Sequence, residues 1–191
     1  MKNAIILHGK PSKEKFENPD LLDPSDSNWI PWVKHQLTIR GYKAVAPDLP
    51  RPYAPEYDAW KKEFERHDVG PDTSLIGHSA GAGFLLKWLS NNPNAPTSAR
   101  LILVAPWIDP NRKYGYEFIC HWRGDLLSKI GQITVFHSSN DDDQARRSLD
   151  TIRDHIMPDN AVYRDIPAYG HFLTENTMIG PEFPEILEEF A

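Results

Sequence analysis

The chain has 191 residues, with 21 Lys plus Arg against 27 Asp plus Glu, a formal net charge of −6 and 40% hydrophobic residues. That length fits one domain with one real core, spanning residues 1–191, and an acidic balance without a basic block argues against nucleic acid as a partner. Cys120 is the single cysteine, which excludes an internal disulfide and every all-cysteine metal site and fits a reducing compartment.

The first apolar run, Ala4-Ile5-Ile6-Leu7, ends at His8-Gly9. Four residues are too few for a signal peptide or a membrane span, so a soluble, cytoplasmic protein that does not engage membranes is expected. A helix should follow, with Trp29, Trp32, Val33 and Leu37 on one face, Pro31 in its first turn and Ser27 or Asn28 as its cap. Later apolar runs are Lys43-Ala44-Val45-Ala46, Ser74-Leu75-Ile76, Leu101-Ile102-Leu103-Val104, Ile133-Thr134-Val135-Phe136 and Ala161-Val162-Tyr163. Short, nearly continuous apolar runs read as strands buried on both faces, as in a parallel sheet. Between them Phe84, Leu85, Trp88 and Leu89, and again Ala145, Leu149, Ile152 and Ile156, recur at helical spacing. Strands alternating with helices give an open α/β sheet with right-handed crossovers. Residues 47–55 read as a proline-rich ordered loop. Residues 106–129, which hold Tyr114, Tyr116, Phe118, Cys120, His121 and Trp122 without clean periodicity, are a candidate cover for a site.

Gly77-His78-Ser79-Ala80-Gly81 lies between the third strand and the helix through Phe84 and Trp88. This is the context of a nucleophile elbow: the serine sits on a strained strand-to-helix turn, and side chains two before and two after it would strike the strand and the helix. Without that context the pentapeptide is only a glycine-rich turn with an idle serine. A serine hydroxyl is a weak nucleophile near neutral pH and needs a base within hydrogen-bond reach and an acid to orient the base.

Acid and base follow such a serine along the chain in the order Asp or Glu, then His. His155 reads as surface and His137 as a loop support, whereas His171, in Ala168-Tyr169-Gly170-His171-Phe172 beyond the last strand, stands where the base belongs. The strand ending at Phe136 runs into His137-Ser138-Ser139-Asn140-Asp141-Asp142-Asp143, which offers three adjacent carboxylates for one acid and for capping the next helix. An oxyanion hole needs backbone N–H donors. Ala80, directly after the serine, is one. Gly9 or Lys10, in the loop after the first strand, is the other, while His8 reads as a residue that holds that loop.

Together, the strand ending in His8-Gly9, Trp29-Ile30-Pro31-Trp32, Asp48-Leu49-Pro50-Arg51-Pro52, the elbow, the strand Leu101-Ile102-Leu103-Val104 and Gly170-His171-Phe172 resemble the small serine-hydrolase family of α/β-hydrolases, of the retinoblastoma-binding protein 9 and YdeN kind. The resemblance spans nearly the whole chain. It implies a minimal α/β-hydrolase fold, roughly six-stranded with helices on both faces and no large lid, with Ser79 as nucleophile, His171 as base and an aspartate of the cluster as its partner. Family members often follow the acid with Val-Pro, where this chain continues Gln144-Ala145-Arg146, so the resemblance does not choose among the aspartates. Register does: four residues past the strand end at His137 is Asp141, Asp142 lies one residue deeper, and Asp143 falls in the helix as a backbone cap.

The expected function is that of a carboxylesterase-like serine hydrolase, cleaving a small ester, thioester or amide through an acyl-enzyme on Ser79, Asp141 and His171. The rival is a hydrolase shell whose role is to bind a protein partner. A nucleotide binder fails because His8-Gly9-Lys10-Pro11 is no phosphate cradle. Cys120 beside His121 has no elbow around it, Asp141 to Asp143 with His137 are explained by capping without a metal, and no cofactor is implied. Trp29, Trp32, Trp60 and Trp88 read as core, with Trp107 and Trp122 left as candidates for a pocket wall.

Overall fold

The computed structural model describes residues 2–92, 94–95, 98–115, 130–155, 161–175 and 180–191. All six apolar runs become strands: β1 Asn3–Leu7, β2 Lys43–Val45, β3 Thr73–His78, β4 Ser98–Val104, β5 Ile130–His137 and β6 Ala161–Asp165. They form one sheet in the order β2-β1-β3-β4-β5-β6, and every neighbouring pair is parallel, with Ile5 beside Leu75, Leu75 beside Leu101 and Leu101 beside Ile133.

Side chains alternate across a strand, so each run feeds two cores. Leu7, Leu75, Leu101, Leu103 and Val135 face one side, where they meet α3 Tyr57–Phe64, α4 Ala80–Asn91 and α5 Asp143–His155 through Trp60, Phe64, Phe84, Leu149 and Ile152. Phe84 meets the rings of Tyr57, Trp60 and Phe64 at 5.7, 5.9 and 5.5 Å. Ile6, Ile76, Ile102, Val104 and Phe136 face the other side, covered by Ile30, Val33 and Leu37 of α2 Ile30–Ile39 and by Ile186 of a 3-10 segment, Pro184–Phe190. A strand covered on both faces has no polar row, which is why the runs read as continuous.

Pro31 falls in the first turn of α2, but neither Ser27 nor Asn28 caps it: Trp29 holds the cap position without a side-chain bond. Asn28 is left-handed, at φ 57°, and its Oδ1 accepts instead from the Thr174 N–H at 3.1 Å. A short helix, α1 Lys13–Glu17, and a 3-10 turn, Pro24–Asp26, occupy the span between β1 and α2. Among the described residues no helix is long and apolar enough to cross a membrane.

Because β1 pairs with β2 on one side and β3 on the other, the growth of the sheet reverses between β1 and β3. A crevice opens at the carboxyl ends of strands at such a switch point. The residues that come next in the chain are His8-Gly9 after β1 and Ser79 after β3.

Candidate active site

Ser79 stands between the last residue of β3 and the first of α4, at φ 51° and ψ −117°, a conformation that costs an L-residue about 1–3 kcal/mol. The turn is over-determined by its neighbours. A Cβ at Gly77 would lie 2.6 Å from Ala82 Cα, and one at Gly81 would lie 2.6 Å from the His8 carbonyl oxygen. Both clashes are with backbone, so the elbow needs glycine at both places. The Ser79 N–H donates to Val104 O at 2.9 Å, and the Ser79 carbonyl accepts from Trp107 N–H at 3.1 Å. Its hydroxyl is therefore presented by a turn pinned to β4 and to the chain beyond it.

His171 lies six residues past β6 in a tight loop where Ala168, Gly170 and Phe172 all have positive φ. Its ring accepts the Ser79 hydroxyl at Nε2, 2.8 Å away, and faces Asp141 with Nδ1, 3.0 and 3.1 Å from the two carboxylate oxygens. An ionised carboxylate only accepts, so Nδ1 carries the hydrogen and Nε2 is the acceptor. Asp141 is 7% exposed and Ser79 8%. The loop is held from below by Phe172, fully buried and 5.3 Å from the Phe183 ring, and from the side by Asn140, whose Oδ1 accepts from Gly170 N–H at 3.0 Å.

The three neighbouring aspartates diverge. Asp142, not Asp143, caps α5: its Oδ1 accepts from the N–H groups of Gln144 and Ala145 at 2.8 and 2.9 Å. Asp143 is the first helical residue, too far along to reach its own amides, and it pairs with Arg146 one turn on. Asp141, Asp142 and His171 lie close enough together to surround a cation, while both His171 ring nitrogens and the Asp142 Oδ1 already have the protein partners just described. His137 is turned away, accepting from Arg153 at 3.1 Å and facing Asp165.

Ala80 opens α4, so its N–H is one of the four at a helix start that have no acceptor within the helix. Gly9 comes against the nucleophile: a Cβ there would sit 3.0 Å from Ser79 Cβ. Lys10 follows it, with its ammonium 5.6 Å from the centroid of the Tyr114 ring. The loop is fixed by His8, which is buried. Its Nε2 accepts from Leu49 N–H at 3.1 Å and its Nδ1 donates to the Gly9 carbonyl at 2.8 Å, a pattern available only to the neutral ring. Burial lowers the His8 pKa.

A second buried imidazole, His78, donates from Nε2 to the backbone carbonyl of His171 at 2.9 Å. Burial, reinforced by the adjacent His171, pushes its pKa down to about 3. His78 thus ties the elbow directly to the loop that carries the base. No local pattern assigns a role to His78 or Asn140, because each acts on a residue distant in the chain.

Ser79, His78 and His171 form the floor of a cleft of about 470 Å³ walled largely by the segment between β1 and α2 and by residues 173–175. The described part of the expected cover, residues 106–115, does not line this cleft. Trp107 is buried in the core and is not among the residues lining the cleft, and residues 106–115 turn back on the buried Asp109, which accepts from the N–H groups of Lys113 and Tyr114 at 3.0 Å each. Cys120, His121 and Trp122 lie outside the described residues, as does the rest of 116–129.

No protein-family model matches the chain, and no curated protein matches it in sequence. Solved structures match it along nearly its whole length. The YdeN gene product of B. subtilis superposes with a TM-score of 0.79 at 21% identity, over 100% of this chain and 97% of that one. Est1E from Butyrivibrio proteoclasticus, with ferulic acid bound, gives 0.64 at 14% identity over 100% of this chain and 88% of that one. The esterase domain of a Rhodothermus marinus protein gives 0.57 at 13% identity, over 91% and 79%. At such identities the likeness speaks for the fold. The chain has the α/β-hydrolase fold in a minimal six-stranded form, and no large lid stands among its described residues.

Proposed function

We propose that this chain is a serine hydrolase acting on small carboxylic esters, thioesters or amides through an acyl-enzyme intermediate on Ser79. The observation that carries the reading is the hydrogen-bonded relay Asp141–His171–Ser79 at the floor of a cleft, built on a strained serine. Strain at a functional turn persists only where its surroundings enforce it.

In this mechanism the Ser79 hydroxyl attacks the substrate carbonyl while its proton passes to His171 Nε2. Asp141 holds Nδ1–H, keeps Nε2 aimed at the hydroxyl and stabilises the imidazolium that forms. The oxyanion of the tetrahedral intermediate takes hydrogen bonds from the backbone N–H of Ala80 and of Gly9 or Lys10. His171 returns the proton to the leaving group, and water then repeats the sequence on the acyl-enzyme. The name of one structural neighbour, an esterase domain from Rhodothermus marinus, favours an ester over an amide as the natural substrate.

A fluorophosphonate probe is expected to label the folded protein, and Ser79→Ala to lose the label with its melting curve unchanged. Labelling that survives in the alanine variant moves the nucleophile elsewhere. A wild-type protein that takes no label favours the rival reading, a hydrolase shell that binds a protein partner.

A further inference from the structure

The cleft wall facing Ser79 is made by residues 9–28, a strap between β1 and α2. Among the described residues six large apolar side chains are left exposed, and three of them, Phe16 at 39%, Leu21 at 51% and Leu22 at 72%, stand on this one wall. Single exposed leucines are ordinary, but a cluster that borders a reactive group marks a surface that something apolar covers. Leu173 and Ile30 continue the apolar lining beyond the strap.

Charge on the lining balances. Two lysines, Lys10 and Lys15, and two carboxylates, Asp20 and Glu175, line the cleft, and Lys15 and Glu175 are paired directly across the mouth. Both imidazoles at the floor apart from His171 are held neutral by burial. Among the described lining residues no excess of either sign is left to recognise a carboxylate, a phosphate or an ammonium group on the substrate.

The wall is also preformed. Asn28 Oδ1 accepts from the Thr174 N–H and hydroxyl at 3.1 and 3.3 Å, Lys15 reaches Glu175 from the same side, and Ser25 bonds to Asp48 behind. The strap is thereby clasped to the very loop that carries His171. Ligand pockets with fixed apolar walls and few polar groups bind by shape and burial.

Resting on the serine-hydrolase reading, we propose that the strap is an acyl-binding wall: the cleft takes uncharged esters whose acyl group is an apolar chain longer than acetyl, and Phe16, Leu21 and Leu22 set that preference. The orientation follows from the reacting atoms. His171 must reach the leaving group, so that group lies on the His171 side. The carbonyl oxygen turns to the Ala80 and Gly9 or Lys10 amides, which leaves the acyl chain to run along the strap that continues from Lys10. Contacts to the acyl chain persist through acylation and deacylation, so they assist both steps if they tighten in the transition state.

The test is a series of p-nitrophenyl esters with one leaving group and growing acyl chains, run below their aggregation limits. Each buried methylene is worth up to about fourfold in kcat/KM, so hexanoate is expected to exceed acetate at least about tenfold. In the Leu21→Asn/Leu22→Asn double variant, whose substitutions fall on exposed positions, the hexanoate-to-acetate ratio is expected to collapse toward one. Mono-p-nitrophenyl adipate, which places a carboxylate at the chain end, is expected to fall at least about tenfold below hexanoate. A flat series in the wild type, a ratio preserved in the double variant or a preference for the adipate overturns the acyl-wall assignment while acetate turnover and probe labelling leave the hydrolase reading standing. No turnover of any ester together with no labelling overturns both.

Discussion

Asp141, Asp142 and Asp143 are identical side chains in consecutive positions, and one residue of displacement along the chain gives each a different partner. Asp141 meets His171, Asp142 caps α5, and Asp143 pairs with Arg146 in solvent. Asp141→Asn is expected to lower kcat about 10³- to 10⁴-fold, because an amide no longer enforces the Nδ1–H tautomer. Asp142→Ala is expected to cost about 1 kcal/mol of stability through the lost cap and to change kcat far less, and Asp143→Asn to move neither. Steady-state kinetics and denaturant melts on the three variants separate these outcomes. His78 carries a different signature. Its folded pKa, near 3, lies below the ordinary histidine value of about 6.5, so below that value the unfolded chain takes up a proton that the folded one refuses. Stability should then fall with acidification by up to about 1.4 kcal/mol per pH unit from this residue, with His8 adding in the same sense. Denaturant midpoints between pH 7 and 5 measure the slope, and His78→Gln is expected to remove its share.

At the scale of elements, the loop after β6 concentrates strain around one functional ring. Ala168 has φ 72° and is solvent-exposed, Gly170 has φ 52°, and Phe172 has φ 57° with its side chain buried. Phe172 compensates by filling the core under α2, whereas Ala168 gains nothing from its side chain. Ala168→Gly is therefore expected to raise stability by about 0.5–1 kcal/mol, the relief of left-handed strain outweighing the added freedom of the unfolded chain. A lower melting temperature would mean that the methyl group makes a contact worth more than the strain. The elbow shows the complementary case. Gly77 and Gly81 have backbone within 2.6 Å of where a Cβ would stand, so close approach between β1, β3 and α4 is what requires glycine.

For the molecule as a whole, the last turn of the chain closes the second core. Glu189, 3% exposed, accepts at Oε2 from Gln132 Nε2 and the Thr134 hydroxyl, both at 2.6 Å, and at Oε1 from Arg164 Nε at 2.7 Å. Its backbone carbonyl accepts from Arg100 Nε at 2.6 Å. One residue thus staples β4, β5 and β6 to the segment that covers Phe136 and Phe183 with Ile186. Glu189→Ala is expected to lower stability by about 1–2 kcal/mol, because it leaves the buried Thr134 hydroxyl without its acceptor and takes an ion pair from the half-exposed Arg164, and to leave ester turnover at room temperature near the wild-type level. A melting temperature within a degree of wild type would show that water satisfies those groups.

Strand ends, helix faces and the elbow are local patterns, and the chain order of β1 to β6 with α2, α4 and α5 between them is legible in hydrophobic periodicity alone. So is the sequence position of a turn four residues past β5, since it needs only a correct strand end. What periodicity reports is that a residue is buried, and it is silent on what the residue is buried against. Asn28 meets Thr174, Lys15 meets Glu175 and His78 meets the His171 carbonyl across about half of the chain length or more, and no local signal encodes those pairings. For the same reason neither Ser27 nor Asn28 caps α2, as the asparagine suited to the cap is taken by a distant amide. The wall formed by residues 9–28 is likewise not legible along the chain, because only the reversal of the sheet between β1 and β3 brings the loop after β1 over Ser79. Local physics determined the elements and their order; which loops face one another was decided by the sheet order that those elements adopt together.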